Sequence, residues 1–386
     1  MIYSLSNDTW NEDEIKAVHD VINSRHVTMG DYVKNYENNF AEKFGGKYAV
    51  MSNSGSSANL LAIASLVYSG RLKKGDEVLV TAVSWSTTYF PLSQMGLKIR
   101  LIDININTLN VDISLLEDAI TDNTKAIMTV NLLGNPNNYK DIKNICQRYK
   151  LILLEDNCES MGASYDGKMT GTFGIIGTYS TYYSHHLCTM EGGMCLTDDK
   201  ELYEYMLSIR SHGWTRHLPV SSSIYKKQKD SFYENFNFIM PGFNLRPLEI
   251  EAAIGIEQLK KLDNIIRQRR KNAEYFINGI KETDLLVQKE IGISSWFGFA
   301  IILPPNKAGY RKNYIEALAL AQIETRPIVA GNFAKQRALD YLDYSIFGNL
   351  INADYIHENG FFVGNHSVNM KEEIDLLINT LKAVIF

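Results

Sequence analysis

An α/β fold built on a mostly parallel sheet is predicted by two patterns in the first two thirds of the chain. Short runs of β-branched and apolar residues recur there, and the segments between them are long enough to return the chain as crossover helices. A third observation adds a smaller α+β domain: after Gly242 the pattern changes to long helical stretches and then to a new strand-bearing unit. The expected division is residues 1–245 for the large domain and residues 246–386 for the long helices and the small domain.

Taken in order, residues 48–51 form an apolar run that ends in Asn53-Ser54-Gly55-Ser56-Ser57-Ala58 and leads into an apolar helix at 59–68. Residues 77–81, 98–102, 126–130 and 151–154 read as buried strands, and 138–150 as a crossover helix. Residues 220–230 are polar and read as a loop. Two long helices are expected at 247–262 and 265–280, and residues 295–303 open the small domain. Ligands of such sheets gather at the carboxyl ends of the strands, so the residues just after each run carry the functional reading.

Composition narrows the function classes. With 386 residues, 45% hydrophobic and 22% charged, the chain can bury a large core and a smaller one. A net charge of −5, without a long basic run, leaves no footprint for nucleic acid. No apolar stretch reaches the roughly 20 residues that cross a bilayer, and the first residues lack the pattern of a signal peptide, so a cytoplasmic protein with no membrane partner is expected. Cys146, Cys158, Cys188 and Cys195 form no Cys-x-x-Cys pair, which argues for reduced thiols and no metal site.

Three strand ends attract attention. Gly55, Ser56 and Ser57 would present backbone N–H groups and hydroxyls at a helix N-terminus, which suits a phosphate; a serine-rich N-cap is the structural alternative. Trp85, directly after residues 77–81, could stack on a planar heterocycle or sit in the core. Asp156 and Glu159 end an apolar strand abruptly; a carboxylate there could pair with a protonated pyridine nitrogen, bind a metal, or cap a helix.

Together, residues 47–58, 76–85, 155–171, 180–193 and 242–259 resemble the DegT/DnrJ/EryC1/StrS family of sugar aminotransferases over nearly the whole chain. The resemblance implies an aspartate-aminotransferase-like fold, that of the fold type I enzymes dependent on pyridoxal phosphate. It implies Gly55, Ser56, Ser57 and Ser180 at the cofactor phosphate, Trp85 on the ring, Asp156 at the ring nitrogen and Glu159 near the 3′-oxygen. Asn244 matches an asparagine that reaches the phosphate from a neighbouring subunit, which implies a homodimer with shared active sites. Ser184, His212, Arg216 and Arg326 are further substrate-binding candidates, with a surface salt bridge as the alternative for Arg216.

The departure from the family lies in Ser180 to Gly193. Counting back six places from Glu191, His185 stands where the family keeps its cofactor lysine. A primary amine can tether an aldehyde cofactor covalently, whereas an imidazole can only move protons. The resemblance is nearest the branch that deoxygenates C3 of a nucleotide-linked 4-keto-6-deoxyhexose, GDP-linked in that branch, on the way to the 3,6-dideoxysugar colitose of O-antigen. It implies noncovalent pyridoxal and pyridoxamine phosphate, L-glutamate as amino donor, and His185 as the base, with His186 the alternative. Three rivals remain at this point: an iron–sulphur sugar dehydratase, which the cysteine spacing does not fit; a transaminase using Lys168 or Lys200; and a non-enzymatic member of the fold.

Overall fold

The computed structural model describes residues 2–384; the first residue of the expected large domain and the last two of the expected small domain lie outside the described residues. The strands in chain order are β1 (Tyr48–Ser52), β2 (Glu77–Thr81), β3 (Lys98–Ile102), β4 (Thr124–Val130) and β5 (Ile152–Asp156). A small ribbon follows, β6 (Ser164–Tyr165) and β7 (Lys168–Met169), then β8 (Ile176–Ser180) and β9 (Gly193–Thr197). The last are β10 (Leu286–Val287), β11 (Gly298–Ile302), β12 (Tyr344–Ile346) and β13 (Gly360–Gly364).

Eight of them form one sheet in the order β1-β9-β8-β5-β4-β2-β3-β12. Neighbours pair in parallel except at β9, which runs antiparallel to β1 and β8. Both faces are covered, because successive side chains point to opposite sides of a strand. In β2, Val78 and Val80 pack with helices Gly55–Tyr68 and Lys200–Ile209. Leu79 points the other way, toward helices Ile113–Ala119 and Tyr139–Tyr149. Helix Gly55–Tyr68 is apolar on nearly every side and lies buried.

The small domain is the antiparallel sheet β10-β11-β13 with helices Arg311–Leu320 and Lys371–Lys382. The same alternation docks it: Phe299 and Ile301 of β11 enter its own core, while Ala300 and Ile302 pack against Ile104, Leu132 and Leu133 of the large domain. Two segments cross the division expected at residue 245. Tyr3 is buried in the small-domain core with its hydroxyl donating to the Gly364 carbonyl at 2.5 Å, and β12 adds to the edge of the large sheet beside β3.

The two long helices expected at 247–262 and 265–280 are one helix, Glu249–Ile280. The polar pair Asp263-Asn264 lies between the two expected stretches, and a helix tolerates both residues where it would not tolerate proline. Its first turn also serves a neighbour: the Glu249 carboxylate accepts from the backbone N–H of Gly30, Tyr32 and Val33, the open end of helix Asp31–Phe44.

β1 is pinned by a buried ion pair. Arg210 donates to the Glu37 carboxylate at 2.5 Å and to the Met51 carbonyl at 2.7 Å, and Glu37 accepts from the Met51 N–H at 2.8 Å. Arg210→Met, which strands a buried carboxylate, is expected to destabilise the fold by about 3–5 kcal/mol. Denaturant unfolding checks this, and Glu37→Gln, which keeps an acceptor, should cost less.

Candidate active site

The carboxyl ends of β1, β4, β5 and β8 open into a cavity of about 430 Å³, as the parallel sheet requires. Its lining begins with Ser54, Gly55 and Ser56. Ser54 caps helix Gly55–Tyr68 by accepting from the Ser57 N–H, and Ser56 bonds the Thr87 hydroxyl at 3.2 Å. Gly55 is required by close approach, since a Cβ there would lie 2.5 Å from that of Ser180. Trp85, just before helix Ser86–Gln94, is exposed into the space.

Asp156 is the best-held group. At the end of β5 and 5% exposed, its Oδ2 accepts from Asn59 Nδ2 at 2.9 Å and from the Thr88 hydroxyl at 2.8 Å, while Oδ1 accepts from the Cys158 N–H at 3.1 Å. Glu159, one turn on, accepts from the Leu133 N–H at 2.9 Å. Burial pushes its carboxyl up to about 7; the Leu133 hydrogen bond opposes this and the nearby Asp156 charge adds to it.

The loop after β8 supplies Tyr182, Ser184, His185 and Glu191. It is pinched at its base, where the Thr189 N–H donates to the Thr181 carbonyl at 2.8 Å and the two hydroxyls meet at 2.5 Å. His185 lines the cavity with its ring edge-on to Phe297 at 5.2 Å and to Tyr182 at 6.0 Å, and its Nδ1 is buried without a partner. Burial, with the Arg269 charge second, pushes the imidazole down to about 4. His186 turns away: it is fully buried, with Nε2 3.2 Å from the Ser295 carbonyl, and does not line the cavity.

Of the residues singled out by sequence, Gly55, Ser56, Trp85, Asp156, Glu159, Ser180, Ser184, His185 and Arg326 converge on this cavity. Ser57 does not; its N–H and hydroxyl are taken up by Ser54 in the helix cap. Asn244, His212 and Arg216 are exposed elsewhere, on two segments that run side by side: the His212 N–H donates to the Phe243 carbonyl, and the Arg216 guanidinium lies 5.3 Å from the Trp214 ring centre. Among the described residues no lysine lines the cavity; Lys168 bonds the Thr172 carbonyl and Lys200 pairs with Glu204.

Sequence reasoning missed Asn59, Thr88, Arg269 and Phe297. Asn59 carried a usable signal, as a polar residue within an apolar helix that must find a partner when buried. Arg269 did not, because it stands in the run Arg267-Gln268-Arg269-Arg270-Lys271 beside surface cations.

A phosphate-sized helix N-terminus, an aromatic face and a clamped carboxylate at the strand ends of this sheet define a site of the fold type I class that binds pyridoxal phosphate. The chain belongs to the DegT/DnrJ/EryC1/StrS aminotransferase family, whose model matches residues 8–382. It is 55% identical to the GDP-4-keto-6-deoxy-D-mannose 3-dehydratase of Escherichia coli O55:H7 over 98% of this chain and 99% of that protein. A structure of GDP-4-keto-6-deoxymannose-3-dehydratase with a trapped PLP-glutamate geminal diamine superposes with a TM-score of 0.96 at 54% identity, covering 98% of this chain and all of that one. A variant of that enzyme with bound GDP-perosamine matches equally well, with a TM-score of 0.96, 54% identity and the same coverage.

The perturbed carboxyl gives a direct check. Carbon-detected NMR of labelled glutamate should show two carboxyls titrating near 7, those of Glu159 and Glu251, of which one is lost in Glu159→Gln. Because the folded state prefers the protonated form, stability relative to that variant should fall as pH rises from about 4.5 to about 7.

Proposed function

We propose that this protein is a pyridoxal-phosphate-dependent 3-dehydratase of GDP-4-keto-6-deoxy-D-mannose, with L-glutamate as amino donor, acting in the cytoplasm in the formation of colitose for O-antigen. The observation that carries this is His185 lining a cavity that no lysine lines, in a chain so similar to known 3-dehydratases. Net, the C3–O bond of the sugar is replaced by C3–H, and glutamate is oxidised to 2-oxoglutarate with release of ammonia.

The residues fit the cofactor. The Gly55 cradle leaves room that any Cβ would fill, and Asp156 offers a carboxylate already fixed by three donors. When bound, pyridoxal phosphate supplies an amine carrier and an electron sink. Gly55, Ser56 and Ser180 would hold its phosphate, with Ser57 supporting them through the cap. Trp85 would cover its ring, Asp156 would keep the ring nitrogen protonated, and Glu159 would face the 3′-oxygen. His185 would take the proton from C4′ and pass one to the departing C3 hydroxyl; lacking an amine, it cannot hold the cofactor covalently.

The reading includes a homodimer. Asn244, exposed and outside its own cavity, would reach the partner's phosphate, and His212 and Arg216 on the adjoining segment would face the same side. Ser184 and Arg326, both in the cavity, would contact the sugar or its diphosphate.

Incubating the loaded protein with L-glutamate and GDP-, CDP- and dTDP-linked 4-keto-6-deoxyhexoses tests the proposal. The expected outcome is a GDP-sugar product one oxygen lighter, with ammonia released; an aminated sugar would overturn it, and turnover of another nucleotide would move the substrate. His185→Asn should bind cofactor yet lose about 10²–10⁴-fold in kcat, the usual share of acid–base catalysis. Gly55→Ala, by pushing Ser180 aside, should weaken cofactor binding by at least about tenfold, or 1.4 kcal/mol, in an absorbance titration.

A further inference from the structure

Arg269 is a buried cation without a counter-ion. It lies mid-way along helix Glu249–Ile280 and is 2% exposed; one amino group donates to the Phe297 carbonyl at 3.1 Å, and its Nε has no partner. Among the described residues no carboxylate forms a salt bridge with it, although leaving a guanidinium buried and unpaired costs several kcal/mol. The ring of Phe297, whose carbonyl Arg269 holds, packs on both His185 and His186, at 5.2 and 5.7 Å. Close by, His185 Nδ1, His186 Nδ1 and the Ser295 hydroxyl are likewise buried without partners. A costly unpaired charge joined to the proposed base through Phe297 calls for a functional reason.

Other charged and titratable groups surround His185. Tyr182, His186 and Glu191 share its loop, Asp156 ends β5 with Cys158 and Glu159 just after it, and Arg326 enters from the small domain. Burial, with the Arg269 charge second, holds the imidazole well below its ordinary value. His186 is pushed the same way by the same two causes.

We infer that Arg269 is a positioning residue for the proposed reaction: through the Phe297 carbonyl it holds the ring that His185 packs on, and it sets an uncompensated positive charge behind the imidazole that helps drive a proton taken by His185 onto the leaving C3 oxygen. The step balances: His185 would take the proton at C4′ of the bound cofactor, the C3–O bond would break with its pair on oxygen, and the proton returned by His185 would complete water. No further reactant is needed. A lone buried histidine would accept the proton as well, but would surrender it less readily.

This inference rests on the proposed dehydratase reaction, and the experiment separates the two. Cofactor-loaded protein labelled at histidine Cε1 is titrated by NMR, with His185 assigned by loss of its signal in His185→Asn. In the wild type His185 should remain neutral well below the ordinary midpoint of about 6.5. Arg269→Gln, which keeps a donor for the Phe297 carbonyl but removes the charge, should raise the midpoint by about one unit or more, whereas Arg269→Lys should leave it within about half a unit of wild type. In turnover, Arg269→Gln should lower kcat about tenfold with KM changed less than about twofold.

An ordinary midpoint in the wild type overturns the inference, and so does an unmoved midpoint in Arg269→Gln, or equal shifts in the Gln and Lys variants, which would mark a packing role. Should Arg269→Gln not fold, Arg269→Met takes its place, and its midpoint compared with that of Arg269→Lys decides. A displaced midpoint in a protein that dehydrates no nucleotide sugar would sink the reaction proposed above and leave the electrostatic role of Arg269 standing.

Discussion

One buried carboxylate holds the functional centre together. Asp156 is almost excluded from water, and a carboxylate in that position must be satisfied from within the protein or cost several kcal/mol. Its donors come from three places: Asn59 on the helix after β1, Thr88 on the helix after β2, and the Cys158 N–H in the turn after β5. Asn59 in turn accepts from the Thr178 hydroxyl of β8 at 2.5 Å, and Thr88 bonds Ser84 at 2.7 Å. Satisfying this charge therefore fixes the spacing between the Gly55 turn, Trp85 and the strand that ends in Ser180.

The second constraint is mechanical. Helix Glu249–Ile280 runs unbroken from the N-terminal end of helix Asp31–Phe44 to the small domain: Glu249 closes the end of helix Asp31–Phe44, Arg269 holds the Phe297 carbonyl, and the Asn272 amide donates to the carbonyls of His366 and Val368. A break at Asp263-Asn264 would uncouple these contacts. Continuity lets one rigid element carry a small-domain aromatic, Phe297, to the edge of the large-domain loop that bears His185.

Much of this was legible because local pattern and global fold agree. Strand β2 coincides with the run read at 77–81 because a strand buried on both faces is largely apolar, and β3 coincides with 98–102 because Ile99, Leu101 and Ile102 are buried there. β8 and β9 escaped notice because Gly177, Thr178, Gly193 and Thr197 dilute that signal; their identity as strands is set by pairing across the sheet. The crossing of Tyr3 and β12 between domains depends on contacts far apart in sequence, which periodicity does not carry. For the cavity, residues at strand ends were readable, whereas Asn59, Thr88 and Arg269 matter through what they touch.

The pair His185-His186 shows why position along the chain does not by itself define chemistry. Neighbours in a turn project in different directions, and here the Thr181–Thr189 pinch settles which imidazole meets the cavity. His186 is spent on the Ser295 carbonyl, while His185 is left between Tyr182 and Phe297 with an open edge. A lysine has a four-carbon stem and can search for its target. An imidazole has two rotatable bonds, so a histidine can replace it as a proton carrier only where the backbone and packed rings already aim it. The pinched loop and the Phe297 edge meet that demand, and they do so without the covalent tether that a lysine would add.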